Sequence, residues 1–91
     1  WLVRMSNNNR IGIDNFPRKI SDDNNISLNV RTCFRTPTGQ EVIKYLRSIT
    51  IEAVTGPAAS DAELRHLEGQ RYIVGLIERR IKHAEKVDKN G

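Results

Sequence analysis

The second half of the chain places its hydrophobic residues with the spacing of two amphipathic helices. In the first helix they recur every three or four residues, and in the second they form one stripe when residues are placed 100° apart. Because only a short loop separates these helices, we expect them to pack antiparallel as a hairpin over residues 34–91. The predicted hairpin core consists of Val42, Leu46, Ile49, Leu67, Val74, Ile77 and Ile81.

Capping signals set the bounds of the first helix. Thr36-Pro37 is typical of a helix start, and a capping box beginning at Thr38 is the alternative. The helix must end before Gly56-Pro57, because neither residue continues a helix well. We expect a helix over about 37–52, or one that stops near residue 49 if the following β-branched run ends it.

The second helix carries the strongest local signals in the chain. Ser60-Asp61-Ala62-Glu63 is a capping box with acidic residues in the first turn, and basic residues crowd the far end. We therefore expect a helix over about 61–86. A second hydrophobic patch lies beside its main stripe, formed by Gly69, Tyr72, Ile73 and Leu76. One partner helix cannot cover both surfaces, so we expect the second patch to meet a different partner.

The first 33 residues have a different composition. They are rich in Asn, Asp and Ser, which favour turns and extended backbone, and a disordered tail is one interpretation. Hydrophobic residues at alternate positions near residues 26–30 instead favour a strand with one buried face. We expect an extended arm over 1–33, mobile to about residue 25 in the isolated protein and ordered by neighbouring subunits. The predicted protein-interface residues are Ile26, Leu28, Val30, Phe34, Gly69, Tyr72, Ile73 and Leu76.

Size and composition favour assembly. A chain of 91 residues with 37% hydrophobic and 5% aromatic residues can bury only a modest core, so we expect help from a partner. The net charge is +4, but acidic and basic residues interleave along the second helix, which is typical of a solvated face. No apolar run is long enough to predict a membrane span. Met5-Ser6 has the form of a translation start, so either the true start lies upstream or a precursor was trimmed.

The sequence contains no set of residues that predicts catalysis or metal binding. Catalysis needs a nucleophile, base or metal with a positioned partner, so we expect no enzyme and no cofactor. His66 and His83 lie about 25 Å apart along one helix, too far to share a metal, and we expect both on the helix surface. Cys33 is expected to be a small buried apolar residue.

Two stretches carry a family resemblance. They run from Cys33 to Leu46 and from Glu68 to Ile77, and together with their surroundings they resemble the Bbp19-like family of small tailed-phage proteins over residues 33 to about 85. The matching positions are Phe34, Thr36, Gly39, Val42, Leu46, Gly69, Gln70 and Arg71. The resemblance implies a phage gene among the head and portal assembly genes, without known catalytic activity.

Together, the residue pattern and the resemblance predict a mainly α protein, an antiparallel helical hairpin preceded by an extended arm. We expect a structural virion component that packs as repeated copies, as in a ring, against the portal, tail adaptor or internal core. It would be made in the host cytoplasm and lie in the capsid interior or at the head–tail vertex, with weak contact to packaged DNA. The alternative is a small regulatory or nucleic-acid-binding phage protein that is not incorporated in the particle.

Overall fold

The structure of the chain is a computed structural model that describes residues 9–90. Those residues form two short strands and three helices, which confirms the mainly helical fold class. The elements are β1 (Asn9–Ile11), β2 (Pro17–Lys19), α1 (Ile20–Phe34), α2 (Pro37–Ser48) and α3 (Asp61–Asn90). The part of the predicted arm that precedes Asn9 lies outside the described residues.

The strand predicted near residues 26–30 is wrong, because α1 occupies the whole segment from Ile20 to Phe34. Asp23, Ser27 and Arg31, spaced four residues apart, all contact α3. Polar residues therefore occupy the inward face of this helix. The spacing of the hydrophobic residues does not follow the helical repeat, so it did not indicate a helix. Packing on α3 also overrides the low helix propensity of the Asn, Asp and Ser residues. The predicted interface residues of the extended arm, Ile26, Leu28 and Val30, are half-buried helix positions. Phe34, the predicted interface residue that follows them, is the half-buried last residue of α1.

Helices α1 and α3 run in the same direction, and α2 runs opposite to both. Asp23 of α1 lies against Arg80, and Arg31, two turns later, forms an ion pair with Asp88. Arg47 of α2 pairs with Glu78, whereas Thr50, just after α2, accepts a hydrogen bond at its carbonyl from Arg71, which lies earlier in α3. The α2–α3 pair is thus the antiparallel hairpin expected from the sequence, and α1 is an additional partner of α3.

The caps follow the predicted chemistry. Thr36 is the N-cap of α2, its Oγ1 accepting a hydrogen bond from the Gly39 N–H at 2.9 Å, with Pro37 at the first helical position. Ser60 Oγ accepts from the Glu63 N–H at 3.1 Å at the start of α3. Helix α2 ends at Ser48, in agreement with the shorter of the two predicted lengths.

The hydrophobic face of α2 differs from the predicted one. Ile43 is buried, whereas Val42 and Ile49 of the predicted core are 43% and 49% exposed, and Leu46 is half-buried. The buried face of α2 is the one that meets the end of α1. Gly39 lies on this face, where a Cβ on it would lie 2.5 Å from the Cys33 carbonyl oxygen, and Ile43 follows four residues later on the same face. The predicted core residues of α3 lie inward: Val74 is buried, and the half-buried ones are Leu67, Ile77 and Ile81.

The strands form a small antiparallel β-hairpin beside the start of α1. Ile11 pairs with Pro17, and the connecting turn is closed by a 2.8 Å hydrogen bond from the Gly12 N–H to the Phe16 carbonyl. Asn15 has φ 71°, a left-handed conformation that Asn tolerates better than most residues. The Asp14 carboxylate accepts from the Phe16 N–H and is thereby fixed toward α3.

The molecule is thin. Its Cα atoms span 49 × 40 × 14 Å, so the shortest dimension is about a third of either of the others. In the described residues, the buried hydrophobic core consists only of Ile43, Val74 and Ala84. Several large hydrophobic side chains remain in contact with solvent.

Candidate interaction site

Helix α3 is long enough to have two differently packed halves. Its 30 residues extend about 45 Å, twice the roughly 22 Å of the 15-residue α1. Because Asp23, in the first turn of α1, contacts Arg80, α1 begins level with that residue. The segment 61–76 therefore extends beyond α1 and is called the projecting half below. The segment 77–90 packs against α1 and the β-hairpin and is called the packed half.

Arg80 is the centre of the packed half. Its side chain is only 4% exposed, and its guanidinium joins the β-hairpin, α1 and α3. Nη1 donates to Asp23 Oδ1 at 2.6 Å and to Ser27 Oγ at 3.0 Å, and Nη2 donates to Asp14 Oδ2 at 3.1 Å. One buried cation therefore holds two carboxylates and a hydroxyl from separate parts of the chain. We call these four residues the Arg80 cluster.

Asp14 is held in its charged form by its surroundings. Arg18 donates two hydrogen bonds to Oδ2, from Nε at 2.9 Å and from Nη2 at 2.6 Å. These bonds lower the pKa of Asp14 to about 2 despite the opposing effect of burial, with help from the Phe16 N–H and the charge of Arg80. The carboxylate is thus ionised at all physiological pH values.

His83 is not the ordinary surface residue that was predicted. It is half-buried, and its Nδ1 lies 2.6 Å from Ser27 Oγ. A serine hydroxyl beside an imidazole is a pairing that can activate a nucleophile. Here Ser27 is fully buried and also accepts from Arg80, so a substrate has no access to its Oγ in this arrangement. The pair therefore serves to position α1 on α3.

The projecting half of α3 lines an open groove with the end of α2. The groove has a volume of about 740 Å³. Its apolar lining comes from Leu46, Ile49, Ile73 and Val74, and its polar lining from Thr50, Arg65, His66 and Gln70, with Gly69 between them. We call it the α2–α3 groove. Hydrophobic side chains line it without another element of the described chain to cover them.

Arg71 holds the segment that follows α2 against α3 at one side of this groove. Its Nε donates to the Thr50 carbonyl at 2.9 Å and its Nη2 donates to the Ala53 carbonyl at 2.7 Å. The irregular segment after α2 is thereby tied to the projecting half of α3. The groove consequently has a defined shape, although few hydrophobic contacts support it.

The predicted interface residues of α3 fall at or beside this groove. Gly69 and Ile73 line it, Ile73 is 55% exposed, and neighbouring Tyr72 is 43% exposed. Leu76 is half-buried, and Cys33, expected to be buried, is exposed. Within 4 Å of a Cβ built on Gly69 there is open space, so no other part of the described chain approaches this glycine closely. The interface assignment itself stays a prediction.

Sequence reasoning did not find the Arg80 cluster. Its members are separated by up to 66 residues, and polar residues alone do not indicate burial. The local signals were two four-residue spacings, of Asp23 and Ser27 within the cluster and of Asp14 and its neighbour Arg18. Within residues 9–90, no group of three or more potential ligands could hold a metal ion. No helix in this part of the chain is long and apolar enough to cross a membrane.

Comparison with known proteins assigns the family. Searches found no match to the chain among curated proteins or among solved structures. A family model described as Bbp19-like phage protein matches residues 30–89, about two thirds of the chain. The match covers the end of α1, α2 and almost all of α3, and therefore both the α2–α3 groove and the packed half. The chain belongs to the Bbp19-like family of phage proteins.

Proposed function

We propose that this protein is a non-enzymatic structural component of a tailed-phage virion. It is present in repeated copies and is held against the portal, the tail adaptor or the internal core. The α2–α3 groove is the observation that carries this proposal. Ile49 and Ile73, whose side chains line it, are about half exposed, an unfavourable arrangement for a chain that acts alone.

The groove suits an amphipathic helix from a neighbouring virion protein. Two helices form its walls, and a helix laid in such a groove covers apolar residues spaced three or four positions apart. Arg65 and His66 lie at the polar side, and Arg65 has no ion-pair partner among residues 10–89. A partner helix with acidic residues beside its apolar stripe would therefore be complementary to the groove.

Limited hydrophobic burial favours the same function. The described residues bury few hydrophobic side chains, and the Arg80 cluster is polar. Buried ion pairs fix geometry better than they add stability, because desolvation offsets much of their attraction. A partner that covers the groove would stabilise the folded chain by mass action.

Purified phage particles test the proposal. We expect the wild-type protein in particles, and we expect Ile73→Asp to fold normally alone but to be lost from them. Val54→Asp is the matched control, because Val54 is 94% exposed and does not line the groove. Circular dichroism checks folding, and mass spectrometry of the particles measures incorporation. Absence of the wild-type protein from particles, or equal incorporation of both variants, would contradict the proposal.

The second candidate function is a regulatory or nucleic-acid-binding protein that remains in the infected cell. The observation in its favour is the exposed row of cations at Arg79, Lys82 and Lys86 on α3. Wild-type protein found in the infected cell but not in purified particles would support this candidate over a structural role. Nucleic-acid binding on its own is compatible with either function.

A further inference from the structure

The fold sorts the charges of α3, which interleave in the sequence. Glu78 turns to α2, where both carboxylate oxygens accept from Arg47 Nη1 at 2.7 and 2.8 Å. Asp88 pairs with Arg31 of α1, and Arg80 is buried. Charge interleaving along the chain therefore does not produce an evenly mixed surface on the folded helix.

Three cations remain together on one exposed side of the packed half. Arg79, Lys82 and Lys86 follow one another at spacings of three and four residues, which places them on neighbouring turns. None of them has an ion-pair partner within 4 Å among residues 10–89. Glu85, the nearby exposed carboxylate, is offset around the helix by about 60° from Lys82 and by about 100° from Lys86, and it lies within 4 Å of neither.

These cations border a shallow depression of about 290 Å³. Ile13, in the turn of the β-hairpin, and His83 complete its described lining, which contains no acidic side chain. The β-hairpin is fixed next to α3 by Asp14, which Arg80 binds. The Arg80 cluster thus holds the apolar side chain of Ile13 beside three cations that have no ion-pair partner among residues 10–89.

An exposed aromatic ring continues the same side of the helix. Tyr72 lies seven residues before Arg79, and the Arg79 guanidinium lies over its ring at 5.4 Å from the centroid. The ring remains 43% exposed. An accessible ring beside cations is the combination that binds unpaired bases and their phosphates, because every base can stack on it.

We propose that Tyr72, Arg79, Lys82 and Lys86 form a binding site for single-stranded nucleic acid. The three cations contact successive phosphates, and Tyr72 stacks with one base. A duplex would offer this surface its phosphates alone, because its bases are already stacked with each other. This site is separate from the α2–α3 groove, and the inference does not depend on the proposed structural role.

Fluorescence anisotropy of the full chain with a labelled oligothymidylate tests the site. We expect binding that weakens with salt, with a slope of log K against log salt near −2, since about three phosphate contacts each contribute about −0.7. The double variant Lys82→Glu/Lys86→Glu should weaken binding at least about tenfold. Circular dichroism should show that it folds normally, because both side chains are exposed.

A charge-matched control separates this site from general electrostatic attraction. The double variant Arg35→Glu/Lys44→Glu also lowers the formal net charge from +4 to 0, and its residues are exposed on other parts of the fold. We expect it to retain most of the affinity. Equal losses in the two double variants would overturn the proposal.

Tyr72→Leu tests the stacked base. We expect it to weaken binding of the single strand at least about fivefold, with an unchanged salt slope and unchanged binding of a duplex of the same length. An unchanged affinity for the single strand would overturn the assignment to this ligand. Binding of polyglutamate as tight as that of the oligonucleotide would also overturn it, and would indicate an acidic protein segment as the ligand.

Discussion

The two halves of α3 differ in the side chains that they bury and expose. The packed half buries the side chain of Arg80 with two carboxylates, whereas the projecting half leaves Ile73 55% exposed. In the packed half, geometry is fixed by directional hydrogen bonds. In the projecting half, hydrophobic surface stays exposed. The comparison separates a region that specifies the fold from the region that we propose binds a neighbouring virion protein.

The difference has an energetic cause. A buried hydrogen-bonded ion cluster tolerates only one arrangement, because any other leaves a charge without a partner. It contributes less net stability than a hydrophobic core of similar size. The described chain thus has a well-defined arrangement of its helices around Arg80 with little hydrophobic burial to support it. Such a chain benefits from a partner more than a compact domain does.

Removing the central cation should have the largest effect. We expect Arg80→Met to lower the free energy of unfolding by about 3–5 kcal/mol. The carboxylates of Asp14 and Asp23 would stay largely shielded from solvent but would lose the positive charge that pairs with both. That loss is comparable to the whole stability of a small domain. Urea denaturation followed by circular dichroism measures it.

Arg79→Met is the matched control for this substitution. Arg79 is adjacent in sequence but exposed, so its replacement should change stability by less than about 0.5 kcal/mol. Similar losses from Arg79→Met and Arg80→Met would show that the cluster does not support the packed half.

The sequence predicted features that depend on local chemistry. Thr36 and Ser60 were identified as caps because a capping side chain bonds to backbone only a few residues away. The inward stripe of α3 around Val74 was also predicted, since its hydrophobic spacing is regular. The family was recognised from residues between Cys33 and Ile77, which the family match covers.

Features that depend on distant contacts were missed. The inward face of α1 is formed by Asp23, Ser27 and Arg31. These polar residues follow the helical repeat, but a search for hydrophobic spacing does not detect them. Their partners lie in α3, more than 50 residues away. The burial of Ile43 in place of Val42 depends on how α1 approaches α2, which no local spacing indicates.

Acid should weaken the packed half before the projecting half. The pKa of Asp14 is lowered to about 2 in the folded chain from an ordinary value of 3.8, chiefly by the hydrogen bonds from Arg18. The carboxylate therefore stabilises the fold above about pH 4, and this contribution, on the order of 2 kcal/mol, is lost as the pH falls toward 2.

Denaturation at a series of pH values checks this effect. The difference in unfolding free energy between wild type and Asp14→Asn should be large at neutral pH and should shrink between about pH 4 and pH 2. Ile73→Asn, in the groove, should give a difference that is nearly independent of pH over this range. A constant difference for Asp14→Asn would contradict the role of its charge.

The smallest expected effect is an increase in stability, at Gly69. A Cβ at this position meets open space, and alanine is a better residue than glycine inside a helix, so Gly69→Ala should stabilise the isolated chain by about 0.5–1 kcal/mol. Gly39→Ala is the contrast, because its Cβ would lie 2.5 Å from the Cys33 carbonyl oxygen. This substitution should destabilise the chain by about 1–3 kcal/mol. Thermal denaturation measures both changes. If a partner helix fills the α2–α3 groove closely, Gly69→Ala should also reduce incorporation into particles while it stabilises the free protein. Undiminished incorporation would show that the partner leaves room at Gly69.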